Sequence, residues 1–121
     1  MIPVKSITIM RAEGPISLAT KKAEFDSFNK ANAHIWCYAS TYPKMGYDKH
    51  DVTVMWEDGT EYSLRLDCQH PDNKYFDGNE IDKRIHRGIK YWLENKKDLD
   101  KSDIKLLEHI ANNCDLNGYK I

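Results

Sequence analysis

Residues 4–10 alternate in character, with Ile7 and Ile9 on one side and polar or β-branched residues between them, which predicts a first strand. Gly14-Pro15 closes it, because proline lacks the ladder donor and restricts the residue before it. A helix is predicted next, from near Ser17 or Thr20, whose hydroxyls can cap its first amides, and fading between Ala33 and Ser40. Phe25, Phe28, Ala31 or Asn32, and Ile35 fall at helical spacing on it, with Lys22, Asp26 and Lys30 opposite. Residues 41–46 read as a loop.

Residues 51–56 and 61–67 read as two strands around Asp58-Gly59, and parity decides the turn. A two-residue turn would pair Met55 with Tyr62 and Val54 with Ser63, mixing apolar and polar residues on both faces. A three-residue loop, Glu57-Asp58-Gly59, with Gly59 in the left-handed conformation of a bulge, separates them. Val52 then faces Leu64, Val54 faces Tyr62 and Trp56 faces Thr60 on one side. Asp51 faces Arg65, Thr53 faces Ser63 and Met55 faces Glu61 on the other. Register follows the buried face, so the bulged turn is expected.

After a polar exit from Cys68 to Asn73, Asn79 can cap a helix whose Ile81, Ile85, Ile89, Trp92 and Leu93 form an apolar stripe. Gly88 costs such a helix about 1 kcal/mol against alanine, which points to the close approach of another element. A last helix is predicted from Asp100 or Ser102 to Asn113, with Leu106, Leu107, Ile110 and Cys114 inward; Asn117-Gly118 turns the chain out of it. The expected fold is a single α+β domain over residues 1–121, in the order β-α-β-β-α-α, with a small antiparallel sheet packed against helices.

Composition sharpens this picture. Leu, Ile, Val and Phe supply 25 of 121 residues, a thin core, but 18 basic against 19 acidic residues leave a net charge of −1, so the chain is expected to fold. The apolar runs are too short to span a membrane, and the first residues lack the layout of a secretory signal. Three widely spaced cysteines (Cys37, Cys68, Cys114) suit a reducing cytoplasm better than a disulfide scaffold. Charge is segmented: residues 48–82 hold 10 acidic and 3 basic side chains, and residues 83–105 hold 8 basic and 4 acidic ones.

No P-loop, dinucleotide glycine pattern, nucleophile elbow or zincin motif is present, so neither an enzyme activity nor a cofactor is expected. His34, Cys37, Cys68 and His70 offer two nitrogens and two sulfurs, but Cys-x-His is not a recognised chelating pair, and no metal is expected. Any thiol could meet one of the five histidines in space, which keeps a small thiol- or zinc-dependent enzyme as an alternative. Lys83, Arg84, Arg87 and Lys90, continued by Lys96, Lys97 and Lys101 with Tyr91 for stacking, make a basic helix able to bind nucleic acid; a solvated helix face has the same letters. Asp48, Asp51, Glu57, Asp58, Glu61 and Asp67 gather on the hairpin's polar face and tip. They read either as a surface that docks on a basic groove or as charge that keeps an exposed hairpin soluble.

The stretch from Gly46 to Asp67 contains Tyr47-Asp48-Lys49, a strand, Asp58-Gly59, Tyr62, Arg65 and a closing Asp67. It resembles the signature of a large polyvalent-protein-associated domain family of phages and conjugative elements, and the flanking helices look similar too. His50 and Trp56 stand where a small polar residue and a smaller aromatic are usual. Members of the family accompany anti-restriction and DNA-processing domains, and short proteins of mobile elements are often inhibitors of host defence. By that analogy the resemblance implies a non-enzymatic anti-defence protein, such as an anti-CRISPR protein, that binds a host defence complex of the CRISPR-effector kind. Its partner-binding residues would be Tyr47, Asp48, Asp51, Glu57, Asp58, Glu61, Arg65 and Asp67, with Tyr47 as an aromatic anchor. The alternative is a nucleic-acid-binding accessory protein using the basic helix. The chain is expected to be a cytoplasmic monomer, or a homodimer joined through a strand edge.

Overall fold

The computed structural model describes residues 1–12, 20–41, 49–67 and 80–120, with side chains placed over 1–10, 22–35, 50–66 and 80–120. Two strands, β1 (Val4–Ala12) and β2 (Thr20–Phe25), lead into α1 (Phe28–Thr41). The hairpin β3 (Lys49–Trp56) and β4 (Glu61–Asp67) follows, then α2 (Ile81–Glu94), a short 3-10 turn (Lys96–Asp98) and α3 (Lys101–Asn113). All pairings are antiparallel and the strand order is β2-β1-β3-β4, so the two apolar strands are central and the two more polar ones lie at the edges. This is the α+β architecture that the alternation and helical spacing imply.

One row of paired side chains builds the inner face. Phe25, Ile7, Val54 and Tyr62 lie side by side, as do Ala23, Ile9, Val52 and Leu64. Helical residues close over them: Phe28, Ala31 and Ile35 from α1, Ile81, Ile85 and Ile89 from α2, and Leu107 and Ile110 from α3. Cys114 and Leu116 complete the core from the tail. His50 and Trp56 also point inward and are wholly buried.

The hairpin turn is the bulged one. Asp51 pairs with Arg65, Val52 with Leu64 and Val54 with Tyr62. The Trp56 amide donates to the Thr60 carbonyl (2.9 Å) and Gly59 takes φ +89°, a conformation that suits a residue without Cβ. Gly88 marks a close approach, as its cost to the helix suggested: a Cβ there would lie 3.1 Å from Tyr62 Oη. Asn117 (φ 55°) and Gly118 (φ 93°) form the turn read at the C-terminal end.

The details depart from the pattern in three places, and one expectation falls outside the described residues. The segment Thr20–Phe25, expected to begin the first helix, is an extra edge strand, and α1 starts only after Ser27, whose Oγ accepts the Lys30 amide (3.3 Å). Asn79, the expected cap of α2, lies outside the described residues; Glu80 stands at the cap without a side-chain bond. Trp92 is 38% exposed, because its ring, in the last turn of α2, leans edge-on against Tyr91 (5.3 Å) rather than entering the core. Leu106 is 41% exposed, since the buried line through Leu107, Ile110 and Cys114 leaves it on the flank of α3.

Candidate functional site

Helices cover one side of the sheet, and among the described residues none covers the other. Across this open face run two rows, Lys22-Met10-Asp51-Arg65 and Glu24-Thr8-Thr53-Ser63, with Ser6, Met55 and Glu61 beyond them. Thr53 and Ser63 hydroxyls bond across the hairpin (3.2 Å), and Arg65 Nε donates to Asp51 Oδ1 (2.7 Å). That exposed ion pair contributes about 0–1 kcal/mol to stability, but it fixes where both charges point. Lys22 and Arg65 nearly balance Glu24, Asp51 and Glu61, so the face is a charge mosaic and not the negative field that the acidic segment suggested.

The other partner-binding candidates scatter. Glu57 stays exposed at the turn. Asp58 turns away toward α3, where His109 Nε2 donates to its Oδ2 (2.7 Å) and Asn113 Nδ2 donates to His109 Nδ1 (3.2 Å). Thr60 donates to the same carboxylate from its amide (3.0 Å) and its hydroxyl (2.8 Å). Tyr47 and Asp48 lie outside the described residues; Asp67 pairs with Lys49 through the backbone, and its side chain is likewise outside them.

These donors, the Thr60 amide foremost, hold the Asp58 carboxyl down at about 2 from its ordinary 3.8. A carboxyl depressed by folding adds stability that is complete above its unfolded value and disappears as the pH falls through the folded one. The gap in thermal midpoint between the native chain and Asp58→Asn is therefore expected to shrink as the pH falls from 3.8 toward about 2. A gap that stays constant over that range removes the ionised carboxylate from the account.

Asp58, His109 and Cys114 bring donor atoms within 4.8 Å of one another. The arrangement reads as a pin between turn and helix: the Asp58 oxygens are already occupied, and burial pushes the Cys114 thiol up to about 11, which keeps it protonated and poorly nucleophilic at neutral pH. Of the four residues weighed for zinc, His34 lies against Phe25 in a tilted ring contact (5.1 Å between ring centres). The side chains of Cys37, Cys68 and His70 lie outside the described residues.

The basic helix divides. Arg84 and Arg87 join Arg65, Tyr62, Leu64, Gly88 and Tyr91 in a groove of about 460 Å³ between β4 and α2. Lys83 and Lys90 lie on α2 outside it, and Lys96 pairs with Glu108 (3.1 Å). Arg65 enters from the open face, Tyr62 and Leu64 from the inner one, so the groove straddles the strand's edge.

A polar cavity of about 500 Å³ lies where α1, the start of α2 and the C-terminal turn meet, lined by Asn29, Asn32, Glu80, Asp82, Asn117 and Tyr119. Asp82 is 2% exposed; Asn32 Nδ2 donates to its Oδ1 and Asn117 Nδ2 to its Oδ2 (both 3.0 Å). Asn32 Oδ1 accepts the Ile81 amide (2.8 Å), capping α2 from another helix. Nothing in the sequence groups these residues; the bonded pair Asn29 and Asn117 lies 88 positions apart. Comparison of the chain with protein-family models, curated proteins and solved structures gave no match, so the surfaces themselves carry the functional reading.

Proposed function

We propose that this chain is a non-enzymatic binding protein that docks the open face of its sheet on a protein partner. The partner class is a host defence complex of the CRISPR-effector kind, in keeping with the resemblance of residues 46–67 to a mobile-element family. The one-sided sheet carries the reading: side chains from all four strands remain accessible on one flat face. Four strands about 4.8 Å apart and about six residues long cover about 400 Å². A standard interface takes about 800 Å² from each partner, so the contact extends beyond the sheet face. Because the charges are mixed, recognition works through their pattern around the Asp51-Arg65 pair and through the exposed Met10, rather than through bulk attraction. Among the described residues no helix is long and apolar enough to cross a membrane.

Thr53→Arg places a long charged side chain in the middle of the hydroxyl row without touching the core. It is expected to abolish capture of, and interference with, reconstituted CRISPR effector complexes, while Lys90→Glu on α2 leaves both intact. Undiminished activity of Thr53→Arg excludes the open face as the contact surface.

A further inference from the structure

We propose that Asp58, His109 and Cys114 form a binding site for a zinc-class divalent cation that clamps the hairpin turn to the end of α3. A ligand atom of each residue lies within 4.8 Å of the other two. The set grades from Asp58 at the surface through half-buried His109 to Cys114, which is wholly buried. A carboxylate oxygen, an imidazole nitrogen and a sulfur suit zinc; magnesium and calcium prefer oxygen alone. The three residues come from a turn, a helix and the position just after that helix, so no motif spacing announces them. The site shares no residue with His34, Cys37, Cys68 and His70. The hydrogen-bonded pin is the metal-free form of the same arrangement.

Zinc bonds of about 2.0–2.3 Å set tetrahedral ligand atoms about 3.3–3.7 Å apart. His109 Nε2 and Asp58 Oδ2, now 2.7 Å apart, separate slightly to admit the ion, and the Cys114 sulfur closes in by about 1 Å at most. The cation takes the place of the proton shared by the Asp58-His109 pair. His109 stays neutral: its proton moves from Nε2 to Nδ1, where Asn113, already in contact at 3.2 Å, turns its amide so that the oxygen accepts it. The Cys114 thiol gives its proton to water as the sulfur binds. Thr60 keeps both its bonds to the carboxylate and so holds Asp58 in orientation. Burial and the Asp58 charge together push the thiol up, and a cation between sulfur and carboxylate offsets both effects. A cavity of about 640 Å³, lined by Ile2, Glu57, Asp58 and Asn113 among others, opens beside the cluster. It gives the ion an entry path and leaves room for a water as the fourth ligand.

The test titrates the chelator-treated native chain with zinc chloride in competition with a chromophoric zinc indicator. One zinc per chain at micromolar affinity or tighter is expected, undisturbed by millimolar magnesium. Cobalt(II) in place of zinc is expected to give the near-ultraviolet band of a thiolate-cobalt bond, and Cys114→Ser to remove it. His109→Ala and Asp58→Asn change partly exposed side chains and leave the core intact. Each is expected to weaken zinc by about tenfold or more. The double variant Cys37→Ser/Cys68→Ser is expected to bind zinc like the native chain. So is Thr53→Arg, which separates this site from the open face. No zinc binding at millimolar concentration, a cobalt complex without the thiolate band, or zinc binding that persists in His109→Ala and disappears in Cys37→Ser/Cys68→Ser each overturns the proposal.

Discussion

Trp56→Ala is expected to cost about 3–5 kcal/mol, the upper range for deleting a buried aromatic. Trp56 is wholly buried at the end of β3, where three segments meet. Its Nε1 donates to the Asp115 carbonyl (2.9 Å), tying the tail after α3 to the sheet. The N-terminal residues run beside it: the Ile2 amide donates to the Asn113 carbonyl (2.7 Å), the Asp115 amide to the Ile2 carbonyl (2.9 Å) and the Glu57 amide to the Pro3 carbonyl (2.9 Å). Removing the indole opens a cavity at this junction and takes a donor from Asp115. A domain of this size has about 5–15 kcal/mol of total stability, so the variant retains only part of it. Trp56→Phe keeps most of the volume and loses the donor, and its expected cost is smaller, about 1–3 kcal/mol. Urea unfolding curves measure both. Equal losses in the two variants would rank the hydrogen bond above the ring; a loss under about 1 kcal/mol for alanine would show that the tail packs without Trp56.

The hairpin was legible because a side-chain period of two leaves no intermediate option: one register buries Val52, Val54 and Trp56 and the other does not. The stripe Ile81, Ile85, Ile89 was legible for the matching reason at a period of 3.6. β2 was not. Its six residues, Thr20 to Phe25, include two lysines, an alanine and a glutamate, all good helix formers, and only Ala23 and Phe25 stand in the inner rows. An edge strand gains its stability from the neighbour it pairs with, here β1, and the local letters carry little trace of that. The acidic segment misled for a related reason. Net charge along a sequence says nothing about charge on a face, and β2 and β4 bring Lys22 and Arg65 onto the surface that Asp51 and Glu61 occupy.

Three-dimensional placement also changes the meaning of the basic helix. Read as a sequence, residues 83–90 form one cationic run; folded, the two arginines face the β4 edge and the lysines do not. Arginine and lysine are thereby separated by place: planar forks line a groove, point charges lie outside it. The open face and the edge groove share Arg65, bonded to Asp51 on one side and lining the groove on the other. Substituting Arg65 would disturb both surfaces, whereas Thr53 lies on the open face alone.

Asn32→Ala carries the second large effect, an expected loss of about 2–4 kcal/mol, because one amide does two tasks. Its Oδ1 accepts the Ile81 amide at the start of α2, where Glu80 provides no side-chain cap. Its Nδ2 donates to Asp82, a carboxylate that is 2% exposed. The two losses add to a cap's worth, about 1 kcal/mol, and an unsatisfied buried acceptor, about 1–3 kcal/mol. Asp82→Ala alone strands the Asn32 amide instead, while Asn117 Nδ2 keeps its bond to Asn29 Oδ1 (3.0 Å), so the double variant Asn32→Ala/Asp82→Ala is expected to be less destabilised than the two single losses combined. Asn32→Asp separates the tasks: it keeps an acceptor for Ile81 but sets one carboxylate against another. Because the cap acceptor is kept, the deficit of Asn32→Asp measures what the Asp82 carboxylate loses, and it is expected to exceed the cap's own worth of about 1 kcal/mol. Urea unfolding curves of the variants decide it. A stability of Asn32→Asp equal to that of the native chain would show that Asp82 does not sense position 32, leaving the cap as the sole role of that side chain.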